Sequence, residues 1–162
     1  MKSKIAFYWL TAARSGFVQP AEWRAWADRQ VVSIPKPPFW IIGMSLARDI
    51  DELRKVLEDV LDASDEPPQI SGDDPLLGYI WWRFERREIN LRDCLELLGE
   101  AAEAGSSSIP CETIFALLNK LEIQRDEREV EAAAKELFRP HRRLAEQQWM
   151  EIQSASNAQS RA

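Results

Sequence analysis

The chain has 162 residues, the length of one domain, and its 45% apolar and 30% charged composition with seven Trp excludes a disordered polypeptide, because large aromatics make folding favourable through burial. A formal charge of −6 speaks against nucleic-acid binding by the chain as a whole, since phosphate affinity comes largely from counterion release by clustered Lys and Arg. No stretch approaches the roughly 18 uninterrupted apolar residues that a membrane span needs.

Lys2 and Lys4 precede an apolar run from Ile5 to Ala13, the outline of a secretory signal. The run contains Tyr8, Trp9 and Thr11, leads into Arg14 and shows no small-x-small cleavage site, so residues 4–14 are expected as a first core helix of a cytoplasmic protein. Gly16 suits the left-handed position beyond its end. Pro20 opens a second helix, in which Trp23 and Trp26 lie three residues apart on one face and Glu22 sits near the positive end. Residues 31–38 read as a rigid connector with Pro35, Pro37 and Pro38, after which residues 39–44 are apolar all round, the pattern of a short buried helix.

Asp49 followed by Glu52 predicts a capping box, and Ile50, Leu53, Val56, Leu57, Val60 and Leu61 recur at helical spacing. The outer face of this helix and the stretch 64–74 carry most of the acid. Residues 48–74 hold ten Asp and Glu against three Arg and Lys, whereas the first 44 residues hold two acidic against six basic. A helix then starts at Asp73 or Asp74 before Pro75 and runs through Trp81, Trp82 and Phe84. The two adjacent Trp point about 100° apart, so both are buried only under a broad cover.

Asn90 caps a helix over residues 91–104 that Gly105 ends, and Pro110 opens another with Ile114, Leu117, Leu118 and Leu121 facing inward. Residues 126–139 form a helix that Pro140 should kink or interrupt, with a resumption over 142–152 anchored by Trp149. Strand alternation and internal repeats are absent. The expected fold is all-α, a single multi-helix domain of seven or eight helices over residues 1–153 with a frayed tail over 154–162.

Catalytic signatures are sparse. His141, the only histidine, lies in Arg139-Pro140-His141-Arg142-Arg143 and reads as part of a solvated basic helix end. No Ser or Cys stands in a nucleophile context. Cys94 and Cys111 read as buried thiols, and with His141 they lack the paired spacing of a zinc site, so no metal or cofactor is expected. Carboxylate pairs such as Glu58 and Asp62 read as a solvated face. The sequence therefore predicts a protein without a catalytic step.

The order of Trp23-Arg24-Ala25-Trp26, Pro37-Pro38-Phe39-Trp40-Ile41 and Gly78-Tyr79-Ile80-Trp81-Trp82-Arg83-Phe84, within residues 5–121, resembles small helical proteins of bacteria, some of which look like immunity partners of secreted toxins. The resemblance carries over no functional residue. It implies a protein partner, and acidity makes a basic toxin domain the natural one, because opposite fields steer association. The candidate binding residues are Asp51, Glu58, Asp59, Asp62, Asp65, Glu66, Asp73 and Asp74, with Trp82 as an aromatic anchor. The alternative is a homo-oligomeric structural or adaptor protein, in the simplest case a homodimer, joined through exposed Trp and Leu of residues 75–87; an enzyme with an unrecognised carboxylate site ranks third.

Overall fold

Helix boundaries in the computed structural model, which describes residues 2–64, 73–105, 107–124 and 126–159, follow the capping residues closely. Gly16 adopts φ 73°, and the N–H groups of Gly16 and Phe17 donate to the carbonyls of Ala13 and Ala12 at 3.0 and 3.1 Å, closing the end of the first helix with a Schellman motif. The Asp49 carboxylate accepts the Glu52 N–H at 2.9 Å, and Asn90 Oδ1 accepts the Asp93 N–H at 2.8 Å. The capping box at Asp49 is displaced by one residue, since Glu52 reaches back to the Arg48 N–H at 2.8 Å.

Among the described residues the fold is all-α, with eight helices: α1 (Lys2–Arg14), α2 (Pro20–Ser33), α3 (Phe39–Leu46), α4 (Ile50–Asp62), α5 (Asp74–Glu85), α6 (Leu91–Ala104), α7 (Cys111–Gln124) and α8 (Glu127–Gln159). They gather into two compact units. One holds α1 to α4 with α8 from Gln148 onward, and the other holds α5 to α7 with α8 up to Gln147. The chain thus builds two cores and contributes α8 to both.

In the first unit α2 packs on α3, α3 on α4, and α1 on α4. Trp9, Trp23 and Trp26 are buried together with Met44, Leu53 and Leu57. Trp23 Nε1 donates to the Ala47 carbonyl at 3.1 Å, so one of the two Trp of α2 is tied to the end of α3. Trp9 meets Trp26 and Trp149 at ring-centroid distances of 5.2 and 5.7 Å, which gives Trp149 its anchoring place.

In the second unit α6 packs on α5 and α7, and Leu77, Trp81, Leu95, Leu98 and Phe138 form the centre of the core. Close helix approach depends on glycine. A Cβ on Gly78 would fall 2.0 Å from the His141 carbonyl oxygen, and one on Gly99 would fall 2.4 Å from the Phe115 ring.

The helix α8 departs from the expected interruption at Pro140 and runs unbroken to Gln159, beyond the expected fraying at residue 154. A proline there removes one N–H, and the Glu136 carbonyl that would have received it belongs to an exposed residue. Burial of Phe138, His141 and Ala145 on either side of the proline offsets that loss.

Candidate functional site

On α4 the periodicity sorts the side chains as predicted. Leu53 and Leu57 are fully buried, while Asp51, Glu58, Asp59 and Asp62 are exposed. Arg54 partly neutralises this face, with Nη2 3.4 Å from Asp51 and Nε 3.8 Å from Glu58. Asp59 and Asp62 have no ion-pair partner among the described residues. At the start of the helix the Arg48 guanidinium, 2.6 Å from Glu52, and the Arg48 N–H hold the Glu52 carboxyl down at about 2.

Between α3 and α4 runs a groove of about 660 Å³, lined by Phe39, Trp40 and Gly43 on one side and Val56, Asp59 and Val60 on the other, with Ser3, Ala63 and Ser64 at its end. Asp59 therefore belongs both to the acidic face and to the groove. The apolar pattern of α3 predicts a helix buried all round; Ile41 and Met44 are buried, but Phe39 is 93% exposed and Leu46 69%. The reason lies in the surrounding elements. An eight-residue helix whose only polar side chain is Ser45 cannot hide every face when it packs mainly on α2 and α4.

Asp65 and Glu66 lie outside the described residues. Asp73, Asp74 and Trp82 belong to the second unit rather than to the acidic face of α4. Asp74 is engaged internally: its Oδ1 accepts the Ser108 N–H at 2.8 Å and lies 3.5 Å from His141 Nε2. Asp73 is half-buried, its Oδ2 2.0 Å from where a Cβ on Gly105 would stand.

Trp82 is half-buried, stacked on Tyr79 with centroids 6.3 Å apart, and the Arg142 guanidinium lies 3.6 Å from its ring centroid. Arg142 also donates to Glu85 at 2.7 Å. Trp81 is the buried member of the pair, and Leu76 and Leu77 are buried with it, so the face on which a homodimer through residues 75–87 would depend is largely internal.

His141 corrects the expectation of a solvated helix end, for it is only 5% exposed. It follows Phe138 by three residues and precedes Ala145 by four, so it shares their buried face despite its basic neighbours. Burial pushes its pKa below the ordinary histidine value, with Asp74 acting in the opposite direction. Ser108 Oγ lies 3.1 Å from the same Nε2 that faces Asp74. A Ser-His-Asp triad needs the carboxylate on Nδ1 and the hydroxyl on Nε2, whereas here both meet one nitrogen. The cluster ties the start of α5 and the segment before α7 to α8.

Cys94 is buried and Cys111 half-buried, both as free thiols, and burial pushes Cys94 up to about 12. Among the described residues no group of His, Cys, Asp and Glu has the arrangement of a metal site, and no helix is long and apolar enough to cross a membrane. Comparison with known proteins finds no family model, no curated protein and no solved structure that matches the chain. The functional reading accordingly rests on the acidic face and its groove.

Proposed function

We propose that this chain is a non-catalytic binding protein that meets a basic protein partner through the acidic face of α4, in the manner of an immunity protein that neutralises a toxin. One observation carries the reading: α4 sets five carboxylates against Arg54 and Lys55, and two of those carboxylates, Asp59 and Asp62, are exposed without an ion-pair partner among the described residues. Leaving unpaired charge on one face does little for stability, but it creates a field that speeds encounter with an oppositely charged surface. A toxin domain that binds nucleic acid carries such a surface.

The test is affinity capture from cytoplasmic lysate with the wild-type chain and, in parallel, with Glu58, Asp59 and Asp62 all changed to Lys, followed by association kinetics on whatever is captured. A basic protein retained by the wild type at low salt, with association at least tenfold slower for the triple variant and a weaker salt dependence, is the expected result. Equal association of both chains removes the α4 face from the mechanism.

A further inference from the structure

The groove between α3 and α4 has a chemistry that the acidic face alone does not express. Exposed Phe39 and Leu46 and half-buried Ile42 are spaced three and four residues apart, so they share one stripe of α3 opposite the buried Ile41 and Met44. Phe39, 93% exposed, leaves nearly its whole ring to be covered. Beside this stripe, Trp40 and Val60 line the groove and Asp59 stands at its rim, with Asp62 one turn further along α4.

Three kinds of occupant are compatible with an apolar trough, and charge separates them. A second copy seated groove to groove brings two acidic α4 faces together in a chain whose formal charge is already −6. An anionic lipid surface meets the same repulsion. A helix with an apolar stripe and Lys or Arg along one flank satisfies both the trough and the rim. Thirteen-residue α4 is about 20 Å long, enough to line three turns of such a helix.

We infer that the α3–α4 groove seats a cationic amphipathic α-helix of the partner, with its apolar side chains against Phe39, Trp40 and Val60 and its basic flank against Asp59 and Asp62. The inference rests on the acidic-face reading and narrows it from a charged surface to a helix-in-groove mode of recognition.

A synthetic Leu/Lys amphipathic helix of about 14 residues is the probe, with a Leu/Glu peptide of the same pattern as control. Binding is measured by calorimetry on the whole chain and on three variants: Phe39→Ala, Val60→Ser and the double change Asp59→Lys with Asp62→Lys. Melting curves confirm that each variant is folded. The Leu/Lys peptide should bind, the Leu/Glu peptide at least tenfold more weakly. Phe39→Ala and Val60→Ser should each weaken the Leu/Lys peptide at least tenfold at any salt, and the rim reversal at least tenfold at low salt only.

Loss of affinity on rim reversal with no effect of Phe39→Ala or Val60→Ser overturns the groove while leaving the acidic face standing. Groove effects without any rim effect, or equal binding of the Leu/Glu peptide, overturn both. No binding of the Leu/Lys peptide up to about 1 mM, or a chain mass that doubles and reverts with Phe39→Ala, also overturns the inference, the latter in favour of a second copy.

Discussion

Helices α3 and α5 read alike in sequence and end differently in the fold. Both are predominantly apolar, yet every residue from Pro75 to Trp81 of α5 is buried, whereas α3 buries Ile41 and Met44 and turns Phe39 and Leu46 outward. What differs is the supply of neighbours: α5 meets α6 and, across Gly78, the backbone of α8, while α3 packs on α2 and α4 on its buried side. Apolarity establishes that a helix benefits from cover; the surrounding elements decide how many of its faces receive it. A covered helix is a stability element, and the half-covered one beside unpaired carboxylates is where we propose that a partner docks.

The glycines of the two helices break this comparison most severely. Gly78→Ala places a methyl 2.0 Å from the His141 carbonyl oxygen and 3.0 Å from Ala145 Cβ, and backbone cannot rotate away, so a loss of about 3 kcal/mol or more is expected. Gly43→Ala presses first on the Val56 side chain, 2.9 Å from Cγ1, and gains helix propensity, so its net effect should stay within about 1 kcal/mol of zero. Urea unfolding of the two variants checks both. Similar losses would show that α3 is packed as tightly as α5.

The next effect concerns the edge of α5. Trp82 is a candidate anchor for a partner, but one face of its ring is already occupied by Arg142, whose side chain is 18% exposed. A double-mutant cycle with Trp82→Leu and Arg142→Met should return a coupling of about 1 kcal/mol. A coupling near zero, together with lost partner binding in Trp82→Leu, would turn Trp82 from a support of α5 into part of the binding surface.

Much of this is legible in the sequence alone. The caps at Gly16, Asp49 and Asn90 mark their helix ends because each satisfies a local backbone need. The outer face of α4 follows from its periodicity alone. The α3–α4 groove does not, since it exists only once Val60 and Trp40, twenty residues apart, are brought to the same trough. His141 misleads for a related reason: its flanking arginines describe the chain, whereas its burial is set by Phe138 and Ala145 on its own helical face and by a glycine on α5. Asp74 likewise reads as surface acid until Ser108 and His141 arrive beside it.

That buried histidine makes the second unit pH-sensitive in a defined direction. With its folded pKa below the ordinary value of about 6.5, the unfolded chain takes up a proton that the folded chain resists. The contribution is present above about pH 6.5 and is lost as pH falls through the folded pKa, with a slope of at most about 1.4 kcal/mol per pH unit. His141→Gln should flatten this part of the urea-midpoint profile. An unchanged slope between pH 7 and pH 5 would assign the acid sensitivity to carboxylates instead.

The smallest effect compares two helix ends that share one hydrogen-bond pattern. After α1, Gly16 N–H donates to Ala13 and Phe17 N–H to Ala12; after α5, Arg87 N–H donates to Phe84 at 2.8 Å and Glu88 N–H to Arg83 at 3.0 Å. The left-handed position is taken by glycine in the first case and by Arg87, at φ 60°, in the second. A side chain there costs about 1 kcal/mol, so Gly16→Ala should lose about that much. Arg87→Gly relieves the same strain but frees the unfolded chain, leaving a gain of about 0.5 kcal/mol in the urea midpoint. Arg87 also stands in a groove with Glu85, Glu88, Asp93, Glu127 and Glu131, where its charge is favourable. Arg87→Asn separates the two contributions, because asparagine tolerates the left-handed region and carries no charge. If both substitutions destabilise equally, the arginine is retained for its field among those carboxylates and the backbone strain is secondary.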